Sequence, residues 1–82
     1  MFDPDSYPDV KSITTATLLS LASTYQTLGL LDNVMIYCSQ CLELDPINDL
    51  AYQKRAHVFL LLGNLTEAQA DLELALRINP ND

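Results

Sequence analysis

The stretch from Tyr52 to Pro80, YQKRAHVFLLLGNLTEAQADLELALRINP, decides the fold because its pattern occurs twice in the chain. The earlier copy, LLSLASTYQTLGLLDNVMIYCSQCLELDP, runs from Leu18 to Pro46. An offset of 34 residues relates Gly29 to Gly63, Pro46 to Pro80, Ala22 to Ala56, Leu28 to Leu62, Leu31 to Leu65 and Leu42 to Leu76. A fixed period of this length indicates repeated structural units. We therefore predict repeat 1 at Thr15–Asn48 and repeat 2 at Asp49–Asp82, after a lead segment, Met1–Thr14, that is acidic and interrupted by prolines.

Each repeat has the pattern of two helices joined by a glycine. Apolar residues recur at helical spacing and predict helices over about 15–28, 31–44, 49–62 and 65–78. Gly29 and Gly63 end the first helix of each pair, because glycine readily adopts the left-handed conformation found at helix ends. Asn48 or Asp49 can cap the third helix, and Asn64 followed by Glu67 resembles a capping box. The sequence therefore predicts an all-α fold of four antiparallel helices.

Composition excludes several classes of function. Four Lys and Arg against 11 Asp and Glu give a net charge of −7, which disfavours binding to nucleic acid or to anionic membranes. The longest apolar run, Val58–Leu62, is far shorter than the roughly 20 residues that span a bilayer. Two cysteines and one histidine leave little material for a metal site. A protein-binding module is the leading class.

The repeat resembles a known family. Its motif positions in repeat 2 are Tyr52, Ala56, Phe59, Gly63, Leu65, Ala68, Leu72, Ala75 and Pro80, and they resemble the tetratricopeptide repeat (TPR). Repeat 1 departs from the motif at Leu18, Val34 and Cys41, which replace an aromatic residue and two alanines. Arg55 stands where an apolar residue is usual, although the string Tyr52–Ala56 is similar to that of co-chaperone repeats. The resemblance covers residues 15–82.

The resemblance implies a short right-handed α-solenoid that acts as an adaptor or scaffold and holds a peptide or partner helix in its concave groove. The expected groove residues are Leu19, Ser20, Ser23, Gln26, Thr27, Leu50, Gln53, Lys54, His57, Leu60 and Leu61. We expect Lys54 to meet an acidic group of the partner. Leu19, Leu50 and Leu61 would be exposed and form apolar pockets, and Gln26 and Gln53 would bond to the partner's backbone.

A second hypothesis places function at the end of the solenoid. The last helix is expected to leave Gln69, Leu72 and Leu76 uncovered, so the chain would stack on another copy or on further repeats. The chain is then expected to be a fragment of a longer protein, or to bury this end against another copy. Phe2, Tyr7 or Val10 of the lead segment could fold back as a lid.

A minor alternative is a co-chaperone that binds the acidic C-terminus of a heat-shock chaperone. The carboxylate clamp of that subclass uses several basic residues and asparagines. If the chain matched the last two clamp repeats, Ser20 would replace an Asn, Leu50 would replace a basic residue, and only Lys54 would agree. One lysine cannot hold a carboxylate as the full set does.

The remaining motifs favour structural roles. Cys38 and Cys41 form a C-x-x-C inside a predicted helix, where cysteine acts as a small apolar residue. The acidic residues Asp32, Glu43, Glu67, Asp71 and Glu73 are expected to form a solvated convex face. We find no nucleophile–base pair or phosphate loop, and so expect no enzyme activity, cofactor or metal. Free thiols fit the cytoplasm or the nucleus.

Overall fold

The computed structural model describes residues 10–80 and confirms the all-α class. Its helices are α1 (Val10–Leu28), α2 (Leu31–Leu44), α3 (Asp49–Leu62) and α4 (Leu65–Ile78). Helix α1 begins at Val10 and so takes in the last five residues of the lead segment, which the sequence pattern does not indicate. The rest of that segment, with Phe2 and Tyr7, lies outside the described residues.

The turns within the repeats follow from glycine. Gly29 has φ 75° and Gly63 has φ 80°. Residues that carry a Cβ rarely adopt this backbone conformation. Asn48 caps α3, because its Oδ1 accepts the amide proton of Ala51 at 3.1 Å. The capping box predicted at Asn64 is wrong: Asn64 is the N-cap residue of α4, but its side chain makes no capping hydrogen bond.

Each helix packs mainly against its neighbours in sequence. Helices α1 and α2 form one antiparallel pair, α3 and α4 form the next, and α3 joins the pairs by packing on α2 and α1. The central core cluster contains Ala22, Val34, Cys38 and Val58, all fully buried. Val58 therefore places a side chain of repeat 2 inside the core of repeat 1.

The two helix pairs are held by different chemistry. In repeat 1, the rings of Tyr25 and Tyr37 stack with centroids 5.4 Å apart and planes 8° apart. In repeat 2, Arg55 donates two hydrogen bonds to Asp71, from Nε at 2.7 Å and from a terminal guanidinium nitrogen at 2.8 Å. Each contact joins the first helix of its repeat to the second.

Asp71 corrects the predicted convex face. The sequence pattern placed this residue among solvated acids, but it is only 4% exposed and pairs with Arg55. The bidentate bond to Asp71 raises the pKa of Arg55, so the guanidinium remains charged. The Arg55 guanidinium also lies over the ring of Tyr52, 5.5 Å from its centroid. The buried carboxylate of Asp71 explains why an arginine stands at position 55, where the repeat motif usually has an apolar residue.

Both cysteines lie in the core, as the helix pattern predicts. Cys38 and Cys41 are 0% exposed, and the Cys41 thiol contacts the carbonyl oxygen of Thr15 at 4.0 Å. Burial raises the pKa of the Cys38 thiol to about 11 and also raises that of Cys41. The reactive thiolate is therefore disfavoured at neutral pH. Within residues 10–80, no three metal-binding side chains come together.

Candidate protein-binding groove

An open cleft of about 490 Å³ lies between α3 and α4. Its lining residues are Gln53, His57 and Leu60 from α3, Leu72, Ala75 and Leu76 from α4, and Asn79 directly after α4. The walls of this α3/α4 cleft are mostly apolar. Leu60 and Leu76 are each about half exposed, at 49% and 53%. Such side chains lose water-exposed apolar surface when another chain covers them.

The cleft joins residues that the sequence assigned to two separate sites. Gln53, His57 and Leu60 were expected in the concave groove, and Leu72 and Leu76 at the open end. These residues face one cavity because the first and second helices of a repeat meet along a shared surface. Gln69, the third residue expected at the open end, does not line the cleft, and its side-chain amide donates to Glu73 at 3.2 Å.

The corresponding positions of repeat 1 are half-buried. Leu19, Ser23 and Gln26 occupy the positions of Gln53, His57 and Leu60. Leu19 was expected to be exposed, but it is half-buried. Helix α3 packs on α1 and α2 of repeat 1, whereas no described element packs on α3 and α4 in the same way.

The rest of the predicted groove is more exposed. Leu50 is 51% exposed and Leu61 is 58% exposed, while Lys54 is half-buried. Ser20 and Thr27 are exposed, but the Thr27 hydroxyl donates its proton to the carbonyl oxygen of Ser23 at 3.1 Å. That hydroxyl can therefore only accept a hydrogen bond from a partner.

One end of the cleft is fixed by a hydrogen bond between distant residues. The Asn79 side-chain amide donates to Asp49 at 3.2 Å and ties the end of α4 to the start of α3. This bond leaves the Asn79 amide oxygen to accept from a ligand. Among the described residues that line the cleft there is no carboxylate, although the chain as a whole has 11.

The model of the tetratricopeptide repeat family matches residues 15–48 and 50–82, which is most of the chain. The chain belongs to the tetratricopeptide repeat family. TPR domains generally bind protein partners, and the family is typically a non-catalytic adaptor or scaffold. No curated protein matches the chain. In the part of this TPR protein that the structure describes, no helix is long and apolar enough to cross a membrane.

Proposed function

We propose that this TPR protein binds a helix or extended peptide of a partner along α3, with apolar side chains of that partner in the α3/α4 cleft. The observation that carries this proposal is the cleft itself, in which candidates from both predicted sites line one cavity. Leu60, Leu72 and Leu76 supply the apolar contact, and Leu61 extends it along α3.

The polar residues beside the cleft define the partner further. The proposed partner presents an apolar stripe to the leucines and an acidic or carboxylate group to Lys54. His57 is exposed on the cleft wall, and its two ring nitrogens can form hydrogen bonds with a partner. The full carboxylate clamp of a co-chaperone is not proposed, because Ser20 and Leu50 stand where it needs Asn and a basic residue. The buried thiols favour a reducing compartment, which supports the cytoplasm or nucleus as the location.

A second candidate function is assembly with further repeats or with another copy. The specific observation is that α3 packs on both helices of repeat 1, whereas no described element packs in that way on the helices of repeat 2. A helix of an adjoining repeat or of a second copy would occupy the cleft in the same way. The two candidates differ in one property: self-assembly makes the mass depend on concentration, and binding of a separate partner does not.

The test is a lysate pull-down followed by mass spectrometry. It compares the wild type with the double variant Leu60→Glu plus Leu76→Glu, which puts two charges into the cleft. Ile36→Glu is the matched control, because Ile36 is 52% exposed on α2 and does not line the cleft. Circular dichroism first establishes that all three proteins are equally helical.

Proteins lost with the cleft variant and retained with the control support the proposal. A companion double variant, Lys54→Glu plus His57→Glu, tests the polar side of the site. If all variants capture the same proteins as the wild type, the cleft is not the binding site. Light scattering over a dilution series then tests assembly, which requires a mass that falls on dilution and a monomeric cleft variant.

A further inference from the structure

A second apolar surface lies at the turns inside the two repeats, away from the α3/α4 cleft. It consists of Leu28, Leu30, Leu62 and Leu65, which we call the leucine edge. Leu28 and Leu65 are 64% and 66% exposed, more than any leucine that lines the cleft. Turn segments are usually polar because they run over the surface. The stability of the fold therefore does not explain why four exposed leucines lie at two neighbouring turns.

Leu30 shows that the fold alone does not favour this arrangement. It is the N-cap residue of α2, a position where Ser, Thr, Asp or Asn stabilises a helix, and it makes no side-chain capping bond. Its counterpart in repeat 2 is the polar residue Asn64. The Leu30 side chain also stays about half exposed, so burial does not replace the missing cap.

The leucine edge contains a pocket with an acidic wall. A cavity of about 360 Å³ is lined by Gly29, Leu30, Leu31, Asp32, Asn33 and Leu62. Leu30 and Leu62 belong to different repeats, so the cavity makes the edge continuous across them. Asp32 is exposed and places its carboxylate at the rim of this apolar surface.

Local charge selects the kind of partner. The segments 26–36 and 60–70 contain Asp32 and Glu67 but no Lys, Arg or His. On α3, the Lys or Arg nearest to Leu62 is Arg55, which lies seven residues earlier, about 10 Å along the helix, and is paired with Asp71. A second copy would bring its own Asp32 and Glu67 to the contact, and an anionic bilayer would also be repelled. A segment that carries positive charge beside apolar side chains is complementary both to the exposed leucines of the edge and to its acidic residues.

We propose that the leucine edge is a separate docking site for a short basic and apolar segment of a partner protein. An apolar side chain of that segment enters the cavity between Leu30 and Leu62. A neighbouring Arg or Lys pairs with Asp32. This proposal does not depend on binding in the α3/α4 cleft, and the two sites could hold different segments.

The experiment is an NMR titration of the isotope-labelled chain with two capped peptides, Arg-Leu-Leu-Gly-Arg and Glu-Leu-Leu-Gly-Glu. The arginine peptide is expected to shift the amide signals of Leu30, Asp32 and Leu62 and to bind about fivefold or more tightly than the glutamate peptide. Asp32→Asn should remove that preference. Glu43→Gln, which removes an exposed acid at the far end of α2, should keep it.

A second variant separates docking from damage to the fold. Leu30→Asn introduces the residue that repeat 2 has at this position and removes one wall of the cavity. It should leave the melting temperature nearly unchanged, because Asn64 makes no capping bond at the equivalent position, while it abolishes the peptide shifts. Misfolding would instead lower the melting temperature.

Three outcomes overturn the proposal. One is equal binding of the two peptides, and another is signal changes confined to the α3/α4 cleft. The third is evidence for a different occupant of the leucine edge. A mass that depends on concentration and loses that dependence in Leu62→Asn would assign the edge to a second copy. Co-sedimentation with phosphatidylcholine vesicles would assign it to lipid.

Discussion

Repeats 1 and 2 share a pattern but differ in what covers them. Cys38 of repeat 1 is 0% exposed, whereas Leu72, 34 residues later, is 39% exposed. Leu31 is half-buried, and its counterpart Leu65 is among the most exposed leucines. The difference arises because α3 packs on repeat 1, while no described element packs on the far side of repeat 2. A position in a repeat is therefore core or surface according to its neighbour.

The repeats also differ in their internal connection. An aromatic stack joins the helices of repeat 1, and a charged pair joins those of repeat 2. The two solutions share one position, because Tyr37 corresponds to Asp71, but their first-helix partners differ: Tyr25 corresponds to Phe59, and Arg55 to Leu21. A charged pair in a partly buried place loses much when one member is removed, whereas an apolar replacement of both can be neutral.

The largest expected effect comes from breaking that pair. Asp71→Ala leaves the Arg55 guanidinium half-buried without its carboxylate and should lower the free energy of unfolding by about 3 kcal/mol. Urea denaturation followed by circular dichroism measures this. Glu73→Ala, an exposed acid on the same helix, should change stability by less than about 0.5 kcal/mol. Equal effects at both positions would contradict the structural role of the pair.

A double variant transfers the chemistry of repeat 1 to repeat 2. Arg55→Leu plus Asp71→Tyr introduces the residues of repeat 1 and places a tyrosine near Phe59, the counterpart of Tyr25. We expect a stability within about 1 kcal/mol of the wild type, because both charges leave together. A double variant as unstable as Asp71→Ala alone would show that the two repeats do not share one geometry.

The next effect concerns the residue by which repeat 2 completes repeat 1. Val58→Ala removes two methyl groups from a fully buried site and should lower the free energy of unfolding by about 2 kcal/mol. Thr24 holds the same position in α1, is exposed and bonds to its own helix backbone, so Thr24→Ala should change stability by less than about 0.5 kcal/mol. Similar losses in urea titrations of the two variants would mean that the far face of α1 is also covered.

A smaller effect is the pH dependence of stability that the buried Cys38 thiol gives to the core of repeat 1. The Cys38 thiol has a pKa of about 11 in the folded chain against 9.0 for an exposed thiol, so the unfolded chain ionises first. Stability should therefore fall as the pH rises from 9 towards 11, by about 1 kcal/mol at pH 10. Urea midpoints at pH 7 and pH 10 measure the loss. Cys38→Ala should reduce this dependence, and an unchanged slope would refute the assignment.

The smallest effect compares two helix caps. Asn48→Ala removes the bond to the Ala51 amide and should lower the free energy of unfolding by about 1 kcal/mol. Asn64→Ala removes no capping bond and should cost only a few tenths of a kcal/mol. Thermal melts of the two variants side by side provide the measurement. An equal loss at both would show that Asn64 caps α4 in solution.

Sequence periodicity was sufficient for the fold and for the buried cysteines. Gly29 and Gly63 mark the ends of α1 and α3, and the 34-residue offset establishes the repeat. These features were predictable because each depends on residues close in sequence or at a fixed spacing. The start of α1 was not, since the first turn of α1 has no acidic residue that distinguishes Val10 from later positions, and prolines interrupt the segment before it.

The site was less predictable, because it depends on pairs of helices. The resemblance to the TPR motif marked Arg55 as unusual, but its partner Asp71 lies on another helix and was expected to be a surface acid. In the same way, the pattern separated His57 from Leu76, although they line one cleft. A helical pattern identifies the faces of one helix and does not state which face of the next helix it meets.

The position of Val58 has a consequence for synthesis on the ribosome. The core cluster of Ala22, Val34 and Cys38 includes this residue of α3. A nascent chain that has released α1 and α2 but not α3 therefore leaves part of that core open to water. We expect repeat 1 to become stable during translation only after α3 has emerged, with α4 added to a surface that already exists. The unit that becomes stable therefore contains one helix more than the two-helix repeat defined by the sequence period.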